Sequence, residues 1–280
     1  VLFQLKPKSS MQYVKTLIVC GEEWIGIYLM LKICTVYFGD RYSPDYVGKL
    51  YDSIRRNCSI PFQSVCLSDN PNVKADIVLP YYDNTDIKLH WHKLKFFSPH
   101  FAFQKPGDDI IVMDIDQVIT NNVDELIGHP VKENELITYG IWWHSDEAVE
   151  QGLSLDVNGG FYKFKSGSLS YVWEDFILNP EYWQMKFFDD GTVHYPYYGE
   201  QNYVNWKITY HKKAKIIKTP EKWISKYSIN DFFLNNLLNK KYCKRFDTDH
   251  MLLDEVNSDI KVVHFTGLDN TIHECPLPFV

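Results

Sequence analysis

Short apolar runs alternate with segments of helical periodicity through the first half of the chain, and that alternation leaves few architectures open to it. Residues 31–38 (LKICTVYF) read as a strand and residues 39–44 (GDRYSP) as a turn. Residues 45–57 then place Tyr46, Leu50 and Ile54 at helical spacing, with Pro44 just ahead of them. Residues 62–67 read as a second strand, 68–71 (SDNP) as a loop, and 76–79 as a short third strand. Residues 92–97 read as a helix that precedes another strand at Ile110. Strands interleaved with helices predict an α/β chain whose mixed, mainly parallel sheet is flanked by helices. In such sheets ligands gather beyond the carboxyl ends of the strands.

One of those strand ends carries unusual chemistry. Within residues 108–126 (DDIIVMDIDQVITNNVDEL), the apolar run from Ile110 to Met113 leads directly into Asp114 and Asp116. If the chain stays extended past Met113, side chains alternate and both carboxylates point to the same face. Two such groups repel unless a cation or a proton lies between them. A divalent ion held by only two protein carboxylates keeps open positions for phosphate oxygens. The expectation is a nucleotide-diphosphate site.

Composition removes other classes. With 36 acidic against 29 basic residues, the net charge of −7 leaves no basic face for nucleic acid. Any phosphate ligand would therefore depend on a metal or on a few local cations. The six cysteines, at 20, 34, 58, 66, 243 and 275, include no CxxC pair and read as reduced thiols in a cytoplasmic protein. The aromatic content of 16% suits contact with sugar rings, although for any single ring core packing is the ordinary role. No run reaches the roughly 18 uncharged residues of a membrane helix. The opening Val1-Leu2-Phe3-Gln4 looks like part of a protease tag site, so residues 1–10 are set aside as a tag or tail. The Asn57-Cys58-Ser59 sequon carries little weight without a secretory signal. No repeat and no Pro-, Gly- or Ser-rich linker forces a domain cut. In the second half, residues 135–142, 159–165 and 261–265 read as strands and 168–179 as a helix. Residues 194–206 read as a loop entering a helix, and 229–238 as a helix.

In that order, the pieces resemble the metal-dependent, GT-A-fold glycosyltransferases, especially the glycogenin and bacterial galactosyltransferase-like branch. The resemblance spans about residues 33–267 and rests on ordered elements. Residues 39–47 look like the first nucleotide-binding turn, and Trp91-His92-Lys93-Leu94 like the basic helix ahead of the metal strand. Asp114-Ile115-Asp116 is similar to the DxD motif, with residues 122–126 in the trailing position. Residues 157–161 (VNGGF) resemble the acceptor-side strand, Gly199-Glu200-Gln201 the start of the [DE]-Q helix, and residues 263–267 (VHFTG) the late H-F-x-G element.

The resemblance implies a single Rossmann-like domain over residues 11–280, with a nucleotide-binding half at about 31–126 and an acceptor-side half at about 127–267. It implies that Asp114, Asp116 and His264 hold a metal, and a mixed carboxylate and imidazole set suits Mn²⁺ (or Mg²⁺) better than Ca²⁺. Lys93 would point a cation at the diphosphate or donor sugar, with a solvated helix position as its ordinary alternative. Tyr37 or Tyr42 would stack on the base, Asp40 would accept from a base or ribose hydroxyl, and Ile115 and Gly267 would border the donor. The implied donor is a nucleotide sugar, by family frequency a UDP-sugar, and the acceptor is a glycan or glycoprotein hydroxyl. Glu200 and Asp156 are the candidate bases of an inverting enzyme; Gln201 or Asn158 would face the reacting carbon of a retaining one. Both outcomes, and the oligomeric state, stay open.

Two departures affect the donor pocket. Gly267 is followed by Leu268-Asp269-Asn270-Thr271 where the branch often has a lysine, and Glu200 stands where it has aspartate. His90 and His92 read as structural, and Trp142-Trp143-His144 as a strand end or an acceptor platform. Two other functions compete. In a HAD-type phosphatase, Asp114 would be the nucleophile and Asp116 the acid/base with Mg²⁺. Against it, Gln117 replaces the motif's glycine, and the motif falls too late in the chain. A non-catalytic carbohydrate-binding protein of the same fold is the other.

Overall fold

Strand β3 (Leu31–Tyr37) is buried along nearly its whole length, as a mostly apolar strand with a neighbour on each side is, and its one charge, Lys32, is paired with Asp108 at 3.0 Å. It lies inside a seven-stranded sheet of order β10-β8-β9-β6-β3-β4-β5. The structure is a computed structural model that describes residues 14–20, 23–28, 30–81, 87–140, 157–187, 199–211, 214–227, 246–247, 250–251 and 259–265. Its strands include β1 (Val14–Cys20) and β2 (Glu23–Tyr28), an antiparallel pair ahead of β3. The main sheet continues with β4 (Gln63–Ser68), β5 (Ile77–Pro80) and β6 (Asp109–Met113). Strand β7 (Gln117–Ile119) leaves that sheet, and β8 (Glu135–Thr138), β9 (Phe161–Lys165) and β10 (Lys215–Lys218) return to it. A smaller sheet of order β11-β14-β7 joins β11 (Ile224–Tyr227) and β14 (Val262–Phe265) to β7. Between them β12 (Phe246–Asp247) and β13 (His250–Met251) form a two-residue ladder.

Within the main sheet only β9 runs against its neighbours, pairing antiparallel with both β6 and β8. Alternation of side chains divides the core between its faces. Ile33, Cys66, Ile111 and Met113 pack on one side with Val47, Leu50 and Ile54 of helix α1 (Asp45–Asn57). Cys34, Val65, Leu67, Ile110 and Val112 pack on the other with Trp91, Leu94, Phe97, Phe176 and Tyr203. Each fully buried aliphatic side chain contributes about 1.5–3 kcal/mol. Tyr51 fastens α1 to the sheet, its hydroxyl lying 2.7 Å from the Val65 carbonyl and 3.2 Å from that of Ile33.

The other α-helices among the described residues are α2 (Asp124–Ile127), α3 (Tyr171–Leu178), α4 (Pro180–Lys186) and α5 (Glu200–His211). Three expectations change. The helix expected over 168–179 is α3, shorter at both ends; it stops before Pro180, which lacks an N–H, and a second, unexpected helix α4 starts there, capped by the Asn179 side chain accepting from Tyr182 N at 3.1 Å. The segment ahead of β6, expected as a helix over 92–97, is a longer 3₁₀ helix, Leu89–Phe97. The chain does not stay extended past Met113 but bends at residues 115–116 before β7 begins. The strand expected over 135–142 is β8, ending at Thr138, and the strand expected over 159–165 is β9, starting at Phe161. Residues 1–10, 142–144 and 229–238, Asp156 and Gly267 lie outside the described residues. Among the described residues no helix is long and apolar enough to cross a membrane.

Candidate active site

The bend after β6 is fixed from both sides. Antiparallel pairing of Met113 with Phe161 carries one step further, so Asp114 N donates to the Gly160 carbonyl at 3.3 Å. Ile115 turns its side chain into the core and anchors the turn. Strand β7 then pairs antiparallel with β14 in a register that sets Gln117 opposite His264. That register, rather than strand pleat, brings the candidate ligands together: one ligand atom from each of Asp114, Asp116 and His264 lies within 4.8 Å of the others. His264 Nε2 is 3.3 Å from Asp116 Oδ1, and the Tyr42 hydroxyl donates to Asp116 Oδ2 at 3.3 Å.

These residues fit a divalent cation. Asp116 Oδ1 is buried and outside hydrogen-bond geometry, and it faces His264 Nε2, so two potential ligand atoms meet across the cluster. The donor set combines hard oxygens with an imidazole nitrogen, a combination that suits Mn²⁺. Gly160 makes the close approach possible: a Cβ there would come within 2.9 Å of His264 Cε1 and 3.0 Å of Asn158 Oδ1.

Next to this cluster is a buried ion-pair network. Lys93 Nζ lies 2.9 Å from Asp114 Oδ1, 2.5 Å from Glu200 Oε1 and 3.0 Å from the Gly159 carbonyl. Lys93 is buried, which overturns its reading as a solvated helix residue. Its charge is committed to two carboxylates and a carbonyl. Glu200 opens α5 and is also approached by His90 Nε2 at 3.3 Å and by the Tyr162 hydroxyl at 3.4 Å. His90, expected to be structural, is therefore at the site, while His92 Nε2 lies 2.9 Å from the Ile87 carbonyl, as a structural histidine would. Gly199, at φ +101°, delivers the chain into α5, and a side chain there would run into the His90 ring.

The electrostatics follow from these partners. Burial alone would lower the Lys93 pKa, but Asp114 and Glu200 outweigh it and raise it, so the ammonium stays charged. Burial pushes the Glu200 carboxyl up, and Lys93 followed by His90 more than reverses this, holding it below the ordinary carboxylate range. Asp116 behaves likewise, with His264 as its main counter-charge. Asp114 goes the other way: burial raises it, and Lys93 offsets this only in part while Asp116 adds repulsion. Burial, then the charge of Asp116, raises the Tyr42 phenol and keeps it a neutral donor.

The other expected residues fall as follows. Tyr37 is only 5% exposed and spends its hydroxyl on the Tyr42 carbonyl at 3.0 Å, so it offers no face for a base. Asp40 is exposed in the turn after β3, and the turn is tied down by Gly39 N donating to Asp69 Oδ2 at 2.8 Å. Asn158 Oδ1 accepts from Gly160 N at 2.8 Å, and Gln201 Oε1 accepts from Gly159 N at 3.0 Å. Both amides thus brace the diglycine turn. Asp69, Tyr139 and Gln117 are supporting residues that the sequence reading missed. Asp69 lay in the expected Ser-Asp-Asn-Pro loop, Tyr139 in the expected strand 135–142, and Gln117 entered only as a departure from the phosphatase motif.

Among solved structures the chain is similar to the galactosyltransferase LgtC in complex with donor and acceptor sugar analogs. The TM-score is 0.55 at 14% identity, over 85% of this chain and 88% of that one. An active-site Gln-to-Glu variant of LgtC matches with a TM-score of 0.52 at 11% identity, over 84% of this chain and 87% of that one. The chain has a GT-A fold. No protein-family model and no curated protein matches it. Within the GT-A frame, Asp114 and Asp116 follow the carboxyl end of β6, where an α/β sheet binds its ligand; Glu200 opens α5, and Lys93 reaches both Asp114 and Glu200 from the 3₁₀ helix Leu89–Phe97.

Proposed function

We propose that the protein is a metal-dependent glycosyltransferase. It takes its sugar from a nucleotide-diphosphate donor, UDP-linked, and passes it to a hydroxyl of a glycan or glycoprotein. The observation that carries this reading is the convergence of Asp114, Asp116 and His264 within 4.8 Å, beside the Lys93–Glu200 pair. A divalent ion held by those three residues would act as a Lewis acid toward the departing diphosphate. Lys93 fixes Asp114 and offsets part of the carboxylate charge that would otherwise repel an incoming diphosphate. Tyr42 orients Asp116, and Asp40 stands exposed on the donor side of the same turn.

The charge state of Glu200 bears on stereochemistry. A carboxylate held by Lys93 at 2.5 Å, with its pKa lowered, is a weak base. This favours transfer with retention, without a dedicated base, with Gln201 and Asn158 bordering the acceptor side. The LgtC variant altered at an active-site glutamine is consistent with such a role for Gln201. Asp156 and Gly267 keep their proposed roles as alternative base and donor-side glycine. Residues 11–280 would form one catalytic domain, and the free Cys34, Cys58 and Cys66 suit a reducing, cytoplasmic setting.

The test is to incubate the protein with Mn²⁺ and a panel of nucleotide sugars and follow release of UDP or GDP. Metal-dependent release that is lost in Asp116→Ala supports transfer. Release that survives both EDTA and that substitution refutes the metal reading, and hydrolysis of generic phosphate esters in its place would return the phosphatase.

A further inference from the structure

Gln117 is fully buried next to the candidate ligands, yet it is not one of them. Its Nε2 donates to the Gly160 carbonyl at 2.6 Å, and its Oε1 accepts from the Tyr139 hydroxyl at 2.7 Å. The same Gly160 carbonyl accepts from Asp114 N, and the main chain of Gln117 pairs with that of His264. A single residue therefore touches both segments that carry ligands, and Gly160 packs against the His264 ring between them. Tyr139 is itself immobilised, buried and stacked on Phe161 with ring centroids 4.9 Å apart.

We propose that Gln117, oriented by Tyr139, is a positioning residue that sets the spacing between Asp114, Asp116 and His264 and so tunes metal affinity. The inference rests on the metal-dependent reading above. The physical reason is that a carboxamide with both ends satisfied has one allowed orientation in a buried site, so it transmits the position of β8 to the ligands. Without it, the Gly160 carbonyl and the Tyr139 hydroxyl lose partners inside the core, and the diglycine turn can shift relative to β14.

The experiment measures Mn²⁺ binding to the whole chain by electron paramagnetic resonance, without donor or acceptor, for wild type, Gln117→Met, Tyr139→Phe and the double variant. Gln117→Met keeps side-chain length and removes both hydrogen bonds; it is expected to weaken Mn²⁺ by about 10–100-fold. Tyr139→Phe removes one hydroxyl and keeps the ring stack, and a smaller loss is expected. If Tyr139 acts through Gln117, the double variant binds no more weakly than Gln117→Met alone. Thermal unfolding in EDTA, run alongside, reports the stability of the fold without metal. Variants that melt lower in EDTA yet bind Mn²⁺ with the wild-type Kd overturn the proposal and leave the metal reading intact. Should Gln117→Met fail to fold, Tyr139→Phe decides, and an unchanged Kd there overturns it equally. A wild type that binds no Mn²⁺ removes the metal reading itself, and this proposal with it.

Discussion

Replacing Lys93 by methionine tests whether the network beside the ligands is held by charge. The ammonium sits 2.5 Å from Glu200 Oε1 and 2.9 Å from Asp114 Oδ1, with only 5% of the lysine side chain exposed. At an effective dielectric constant of about 20, each contact is worth about 6 kcal/mol of attraction, much of it offset by desolvation. Removing the cation leaves Glu200, 4% exposed, with only His90 and the Tyr162 hydroxyl against its buried charge; Asp114, 30% exposed, can be partly rehydrated. A broken buried pair costs about 3–5 kcal/mol. For a domain of this size that lowers the Tm by roughly 10 °C.

The pH dependence carries the sign. In wild type Glu200 sits below its unfolded pKa, so its stabilisation is present above that value and fades as acid protonates it. In Lys93→Met burial acts without Lys93 opposing it and raises the folded pKa, so protonation now relieves a penalty. The stability gap between wild type and variant should therefore be widest near neutral pH and narrow on acidification. Adding Glu200→Gln to Lys93→Met should recover roughly half of the loss by removing the stranded charge. Thermal melts from acid to neutral pH read all three quantities. A variant as stable as wild type, or a gap that does not change with pH, refutes the electrostatic account.

Gly160→Ala places a methyl 2.9 Å from His264 Cε1 and 3.1 Å from Gln117 Nε2; we expect a loss of about 1–3 kcal/mol and weakened metal-dependent UDP release, read by melts and by the release assay. Lys163, 1% exposed on β9, has its pKa pushed down to about 8 by burial, while its Nζ binds the Ile127 and His129 carbonyls at 2.6 and 2.7 Å. Because the folded state holds that proton more weakly than the unfolded chain, the penalty is complete below pH 8. It is relieved as pH rises toward the unfolded value, by up to roughly 3 kcal/mol. Wild type should gain stability relative to Lys163→Met over that interval, as urea unfolding would show.

How much of this was legible in the chain depended on the range of the interactions involved. Helix α1 matched its expected span because Tyr46, Val47, Leu50 and Ile54 repeat within a few residues and are all buried, the last three against the sheet. Strand β6 was legible for the same reason, since four consecutive apolar residues leave little choice but burial between two neighbours. Strands β7, β10, β11 and β14 are three or four residues long, and KIIK or ISKY gives a weak period. Of these only β14 was expected. Lysine on a short helix ordinarily lies in water, so nothing local marked Lys93 as buried; its carboxylate partners come from β6 and from α5, and only the fold assembles them.

The Asp114–Asp116 spacing drew attention to residues that the fold brings together with His264, through an argument that the structure replaces. Pleat would have aligned them on one face, whereas the chain bends at Ile115 and the pairing of β7 with β14 supplies the convergence. That difference changes what holds the site. A pleat needs only local backbone geometry, but a bend needs Ile115 in the core, Gly160 under Asp114, and Gln117 opposite His264. The two carboxylates consequently sit in unlike surroundings, one braced by Lys93 and the other by His264 and Tyr42, and their pKa values move in opposite directions. Groups pushed apart in this way mark a site built for charge rather than for packing, because an apolar core of the same volume would cost less to fold.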